Sequence, residues 1–291
     1  MSENIELVSL KCSSCGASLD HFQGKNECRC DFCGNTTKIL KPLKVSLSNL
    51  KLSEGDQGKF NNLIEIMQKA MLAGNYKEAY DYCNKALEID PSSGSLWENK
   101  AIATFLIRSE GDIIETEAKE IVTYLNTAKQ CDGETESYKE TAYLIAWNLY
   151  SAIEWRYRQI RPDESTDNGK TYTVYSDKLT RRIIALLNIM NLCFDIYPII
   201  EFMEIPVNEL TNKGKFKWVQ VSEGKDPVNM SWCRGYSFDP LVMRNKMIAK
   251  AKALDPNFVV PEFTVPEKKT PNWVYIAGVV IVLFLLGKAC H

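Results

Sequence analysis

A chain of 291 residues, 45% of them apolar, has the length for two ordinary domains and enough apolar content to bury a core, which excludes disorder throughout. Its 35 basic and 37 acidic residues leave a formal charge of −2, so no general attraction to nucleic acid or anionic lipid is expected. Ten cysteines would suit a disulfide-rich secreted domain, but Met1 to Leu10 has neither the basic start nor the apolar run of a signal peptide. Five cysteines crowd between Cys12 and Cys33, while Cys83, Cys131, Cys193, Cys233 and Cys290 stand singly. That distribution reads as a metal site plus reduced thiols in a reducing compartment.

The cluster comes first in the chain. Cys12-Ser-Ser-Cys15-Gly16 and Cys30-Asp-Phe-Cys33-Gly34 are two knuckles separated by 14 residues. Zinc prefers four soft ligands at tetrahedral corners, and a two-residue gap lets both sulfurs of a pair face one ion from a tight turn. A glycine after each second cysteine relieves the backbone where it turns back and lets its N–H approach the sulfur. Two such turns, each at the end of a short hairpin, define a zinc ribbon over residues 1–40. Cys28 is a spare, because Cys28-Arg29-Cys30 has the wrong gap for a knuckle. Four protein ligands close the shell, so the Zn2+ is expected to be structural. Residues 1–45 carry six basic and five acidic side chains, which argues against nucleic-acid binding by the ribbon alone.

Residues 41–57 mix Lys, Ser, Leu and Gly without helical period and read as a linker. A helical body is expected over 58–260. Its first helix spans about 60–73, Gly74-Asn75 breaks it, and Pro91 ends the second. Ala79, Cys83 and Ala86 place small side chains on one face of that second helix, next to Tyr76, and allow close helix approach. Gly74 to Pro91 resembles a tetratricopeptide repeat, whose period is about 34 residues. A unit starting near Phe60 predicts the next near Gly94 with a large residue three positions on, where Trp97 stands. The resemblance covers about 60–107, with a faint echo at Ala249 to Pro256. It implies stacked helices in an α-solenoid-like body with a groove for a protein or peptide partner.

Further helices are expected at about 97–107, 113–130, 136–160, 176–197 and 241–254. Tyr143, Trp147, Tyr150 and Trp155 form an aromatic stripe that reads as packing, and Arg156, Arg158 and Arg161 complement a helix C-terminus. Residues 206–240 lose the helical period, and a β-hairpin is read near 215–237. From Glu54 to Glu140 there are seventeen acidic and nine basic residues, a local net of −8, so a groove lined by this charge prefers basic or neutral peptides.

A Pro-spaced linker over 261–271 leads to the tail, 272–291. Trp273 to Gly287 is fifteen residues without a charge, about 22 Å of helix, and the flanking residues extend it to about 30 Å. Trp273 and Tyr275 suit the near interface and Lys288 can snorkel to the far one, so a single-pass anchor is expected, with the body in the cytoplasm. Two histidines and no phosphate loop, HExxH or GxSxG argue against an enzyme, and no small-molecule substrate is inferred.

The expected protein is thus mainly α: a tetratricopeptide-like α-solenoid with an N-terminal zinc ribbon and a C-terminal transmembrane helix, acting as a membrane-anchored adaptor. Its arrangement resembles bacterial proteins that join these three parts. The alternatives are a membrane-associated regulator whose ribbon binds nucleic acid, and an enzyme on a repeat scaffold.

Overall fold

The computed structural model describes residues 10–19, 26–45, 53–109, 115–161, 163–167, 170–174, 177–211 and 240–262. Among these the chain is mainly helical. Two short antiparallel hairpins come first, β1 (Leu10–Lys11) with β2 (Ser18–Leu19) and β3 (Glu27–Arg29) with β4 (Thr36–Lys38). Five helices follow: α1 (Glu54–Leu72), α2 (Tyr76–Ile89), α3 (Gly94–Ser109), α4 (Glu115–Asp132) and α5 (Glu136–Arg158). A third hairpin, β5 (Asp163–Asp167) with β6 (Lys170–Val174), precedes α6 (Asp177–Ile196), α7 (Glu201–Thr211) and α8 (Pro240–Leu254).

Local chemistry sets the helix ends. Ser53 caps α1 by accepting from the Asp56 N–H at 3.2 Å, and its hydroxyl donates to the Asp56 carboxylate at 2.7 Å. The helix therefore begins inside the stretch expected as a linker, because this cap outweighs the two early glycines, Gly55 and Gly58. Gly74 takes φ +78° between α1 and α2, and the Asn75 N–H returns to the Ala70 carbonyl at 2.8 Å, closing the end of α1. Thr135 caps α5 through the Tyr138 N–H at 3.0 Å.

Successive helices pack on one another from α1 to α4, α6 packs on both α4 and α5, and α7 bridges α6 and α8. Ala79, Cys83 and Ala86 are fully buried, so the small-residue face of α2 lies within the core with Phe60, Met67 and Leu96. Trp97 is half-buried and donates from Nε1 to the Pro91 carbonyl at 2.9 Å, tying α3 to the turn before it. Tyr76 is half-buried and packs against the same core. The aromatic stripe of α5 is packing: Tyr150 stacks on Phe202 at 4.4 Å, and Tyr143 meets the Tyr197 ring edge at 5.4 Å. Arg161 donates to the carbonyl of Arg158, the last residue of α5, and to that of Ile160, completing the helix C-terminus. Arg156, by contrast, is buried.

Two elements differ from the sequence reading. The β5–β6 hairpin falls between α5 and α6, and the hairpin read near 215–237 lies outside the described residues. The helix α7 runs through Pro206, which removes one backbone donor. Burial of Phe202, Met203, Val207 and Leu210 on its inner face outweighs that loss. No helix among the described residues is long and apolar enough to cross a membrane, and Trp273, Tyr275 and Lys288 lie outside them.

Gly94, the first residue of α3, sits where a Cβ would meet the Ala128 carbonyl oxygen at 2.8 Å and the Asp132 carboxylate. Gly94→Ala should therefore destabilise the protein by about 1–3 kcal/mol, despite alanine's better helix propensity. Urea unfolding checks this, and an unchanged or raised midpoint would contradict the close approach of α3 and α4.

Candidate metal centre

Each knuckle follows from one local hydrogen-bond pattern used twice. The Gly16 N–H donates to the Cys12 carbonyl at 2.9 Å and the Gly34 N–H to the Cys30 carbonyl at 2.8 Å. The Cys12 N–H reaches the Ala17 carbonyl and the Cys30 N–H the Asn35 carbonyl, both at 2.8 Å. Gly16 and Gly34 stand at φ +75° and +74°, a conformation that favours glycine. The expectation that the glycine N–H approaches sulfur is thus corrected. The glycine closes the turn, and the amides of Ala17 and Asn35, one residue later, point at the Cys15 and Cys33 thiols.

The two turns face each other. Cys12 and Cys33 sulfurs are 3.6 Å apart, as are Cys15 and Cys30, and all four lie within 4.8 Å of one another. A tetrahedron with metal–sulfur bonds of about 2.3 Å has sulfurs about 3.8 Å apart, so the donor set fits a zinc-sized thiophilic ion. A disulfide, at about 2.05 Å, does not describe these pairs.

The charges point the same way. Burial opposes ionisation of Cys12, but the amides of Cys15 and Ser14, the Thr37 hydroxyl and the Cys33 thiol overcome it and bring the thiol to about 7. Burial pushes the Cys33 thiol well up, and the Cys12, Cys15 and Cys30 sulfurs raise it further against one favourable amide from Asn35. Cys15 is raised by burial, and by Cys30 and Cys12, against the amide of Ala17 and the Cys33 thiol. The Cys12 thiolate forms readily, while Cys15 and Cys33 resist ionisation. A divalent cation would allow four thiolates to coexist at this spacing.

The surroundings are built for this cluster. Thr37 on β4 donates to the Cys12 sulfur at 3.8 Å and contacts Ser13 through hydroxyl and amide at 3.3 Å. Asn35 donates to the Ser14 hydroxyl at 3.0 Å. Cys28 is buried on β3 with Leu19 and Ile39, so the spare cysteine is core and not a ligand.

The β3–β4 hairpin is docked on α5, a feature the sequence reading missed. Asn148, 1% exposed, accepts from the Lys38 N–H at 2.8 Å and donates to the Lys38 carbonyl at 2.7 Å. Asn35 also donates to the Ser151 carbonyl at 3.3 Å. The Lys38 ammonium lies 5.1 Å from the Tyr143 ring centre and 4.9 Å from that of Trp147, and pairs with Glu27 at 3.5 Å. The one signal in the sequence was Asn148 itself, a poor helix former in the apolar run Ala146-Trp147-Asn148-Leu149.

The fold and site together define a mainly helical protein carrying a four-cysteine cluster able to hold a metal. No protein-family model, curated protein or solved structure matches the chain.

Replacing Cys12 or Cys33 by Ser should abolish the thiolate-to-metal absorption of the cobalt-loaded full chain, while Cys28→Ser should keep it. Thr37→Val should weaken the ion about 10-fold in a chelator competition. Equal loss of cobalt absorption in Cys28→Ser would contradict the ligand set.

Proposed function

We propose that this protein is a membrane-tethered adaptor, in which a structural zinc ribbon is joined to a tetratricopeptide-like body that recognises another protein. The observation that carries the reading is the closed donor set: four thiols from one chain converge, leaving no position for water or substrate. A closed site holds shape and does not turn over. The shape it holds is pressed against the helical body through Lys38 and Asn148, so the ribbon serves the architecture of a binding surface.

The finer parts rest on chain chemistry. The buried small face of Ala79, Cys83 and Ala86, with Gly74 at a tight turn and Trp97 bonded back to Pro91, supports the tetratricopeptide-like reading of α1 to α3. The uncharged run from Trp273 to Gly287 supports a single-pass anchor, and the Lys268-Lys269 pair before it supports a cytoplasmic body. The near-neutral ribbon favours protein over nucleic acid as the partner.

Carbonate extraction of membranes carrying the full chain, beside a version ending at Pro271, tests the tether. Only the full chain should stay in the pellet; release of both would overturn it. Salt-sensitive retention of the full chain on DNA or RNA would displace the adaptor reading in favour of a nucleic-acid regulator.

A further inference from the structure

The segment that follows the ribbon is held the way a bound peptide is held. Leu43 donates its N–H to the Asn99 side-chain oxygen at 3.0 Å, and its carbonyl accepts from Asn99 Nδ2 and from Gln68 Nε2, each at 3.3 Å. Asn99 sits on α3, fully buried, with its remaining N–H satisfied by the Ser95 carbonyl at 2.8 Å. Five residues earlier, Asn148 on α5 makes the same two-bond clasp to Lys38. Both clasps read backbone, which any sequence supplies. Side chains add the selection: Leu40, Leu43 and Val45 pack on the helical core, while Lys41 and Lys44 face solvent.

Charge agrees with this division. Residues 37–45 carry Lys38, Lys41 and Lys44 and no acid, while Glu54 to Glu140 carries a net −8. A basic and partly apolar segment lies on helices whose net charge is negative.

We infer that Asn99, Asn148 and Gln68 form a backbone-reading peptide site, and that the chain's own Lys38–Val45 segment occupies it as an internal ligand that an extended, basic and apolar partner segment must displace. This deepens the protein-recognition reading and rests on it; it does not depend on the membrane tether. A tethered occupant acts at an effective concentration in the millimolar range, so an outside peptide binds weakly until the internal one is loosened. Two amide side chains stay paired in either state, since each occupant offers the same N–H and C=O.

The probe is a fluorescent nine-residue peptide with the sequence of residues 37–45, added to the full chain. A triple variant, Leu40→Ser, Leu43→Ser and Val45→Ser, loosens the internal segment without touching the site. The peptide should bind this variant at least ten-fold more tightly than the unaltered chain. Adding Asn99→Leu and Asn148→Leu to the variant should remove the gain. Equal affinity for both chains, no binding to either, or a gain that survives the asparagine changes would each overturn the inference.

A pool of unrelated extended peptides separates this from the broader reading. Binding of the pool but not of the 37–45 peptide leaves the adaptor standing and removes the internal ligand; binding of neither removes both. Should the triple variant fail to fold, a specific protease site placed within 46–52 of the full chain serves instead. After cleavage the two pieces should co-elute and separate under excess 37–45 peptide. Pieces that stay joined at saturating peptide contradict displaceable occupancy.

Discussion

A buried primary amide must have its hydrogen bonds met within the protein, and two such amides decide how this molecule is put together. Asn99 and Asn148 lie in helix interiors, 0% and 1% exposed, where an unmet donor or acceptor costs about 1–3 kcal/mol. Neither is satisfied by its own helix alone. Each is completed by the backbone of the strand-like segment leaving the ribbon, at Leu43 and Lys38. Together with the packing of Leu40, Leu43 and Val45 and the Asn35–Ser151 bond, these clasps hold the two pieces of chain together. The four-cysteine cluster shares in this, because Thr37 donates to the Cys12 sulfur and its neighbour Lys38 is clasped by Asn148. One short strand carries the cluster on one residue and the docking on the next.

How much could be read in advance depended on whether a residue's role is local. Cys12, Cys15, Cys30 and Cys33 were legible because their paired spacing is the one that suits a tetrahedral metal site, and Gly16 and Gly34 because the returning turn imposes a positive φ. The α2 face was legible because Ala79, Cys83 and Ala86 recur at helical period. The docking was not, since an asparagine looks the same in sequence whether it faces water or a neighbouring strand. The β5–β6 hairpin had a signal in Asn168-Gly169 between Thr- and Tyr-bearing runs, outweighed by the helical patterning on either side. Pro206 hid α7, because burial of its inner face is a tertiary effect that local propensity does not contain.

The parts make a consistent functional picture. Four thiols from one chain lie within 4.8 Å of one another and could hold one metal ion. The segment from Lys38 to Val45 carries three lysines and no acid, and the stretch from Glu54 to Glu140 carries a net −8. Lys38 lies close to the Tyr143 and Trp147 rings and pairs with Glu27, which adds to the docking of β4 on α5.

The claim on which the account stands is that ribbon and body are one unit joined at Lys38 and Leu43. Amide hydrogen exchange at those two residues, in the metal-loaded full chain, tests it most directly. Both amides should exchange far more slowly than those of an open peptide, and both should speed up when Asn99 and Asn148 are replaced by alanine. Exchange at the rate of an open peptide in the unaltered chain would contradict the joint.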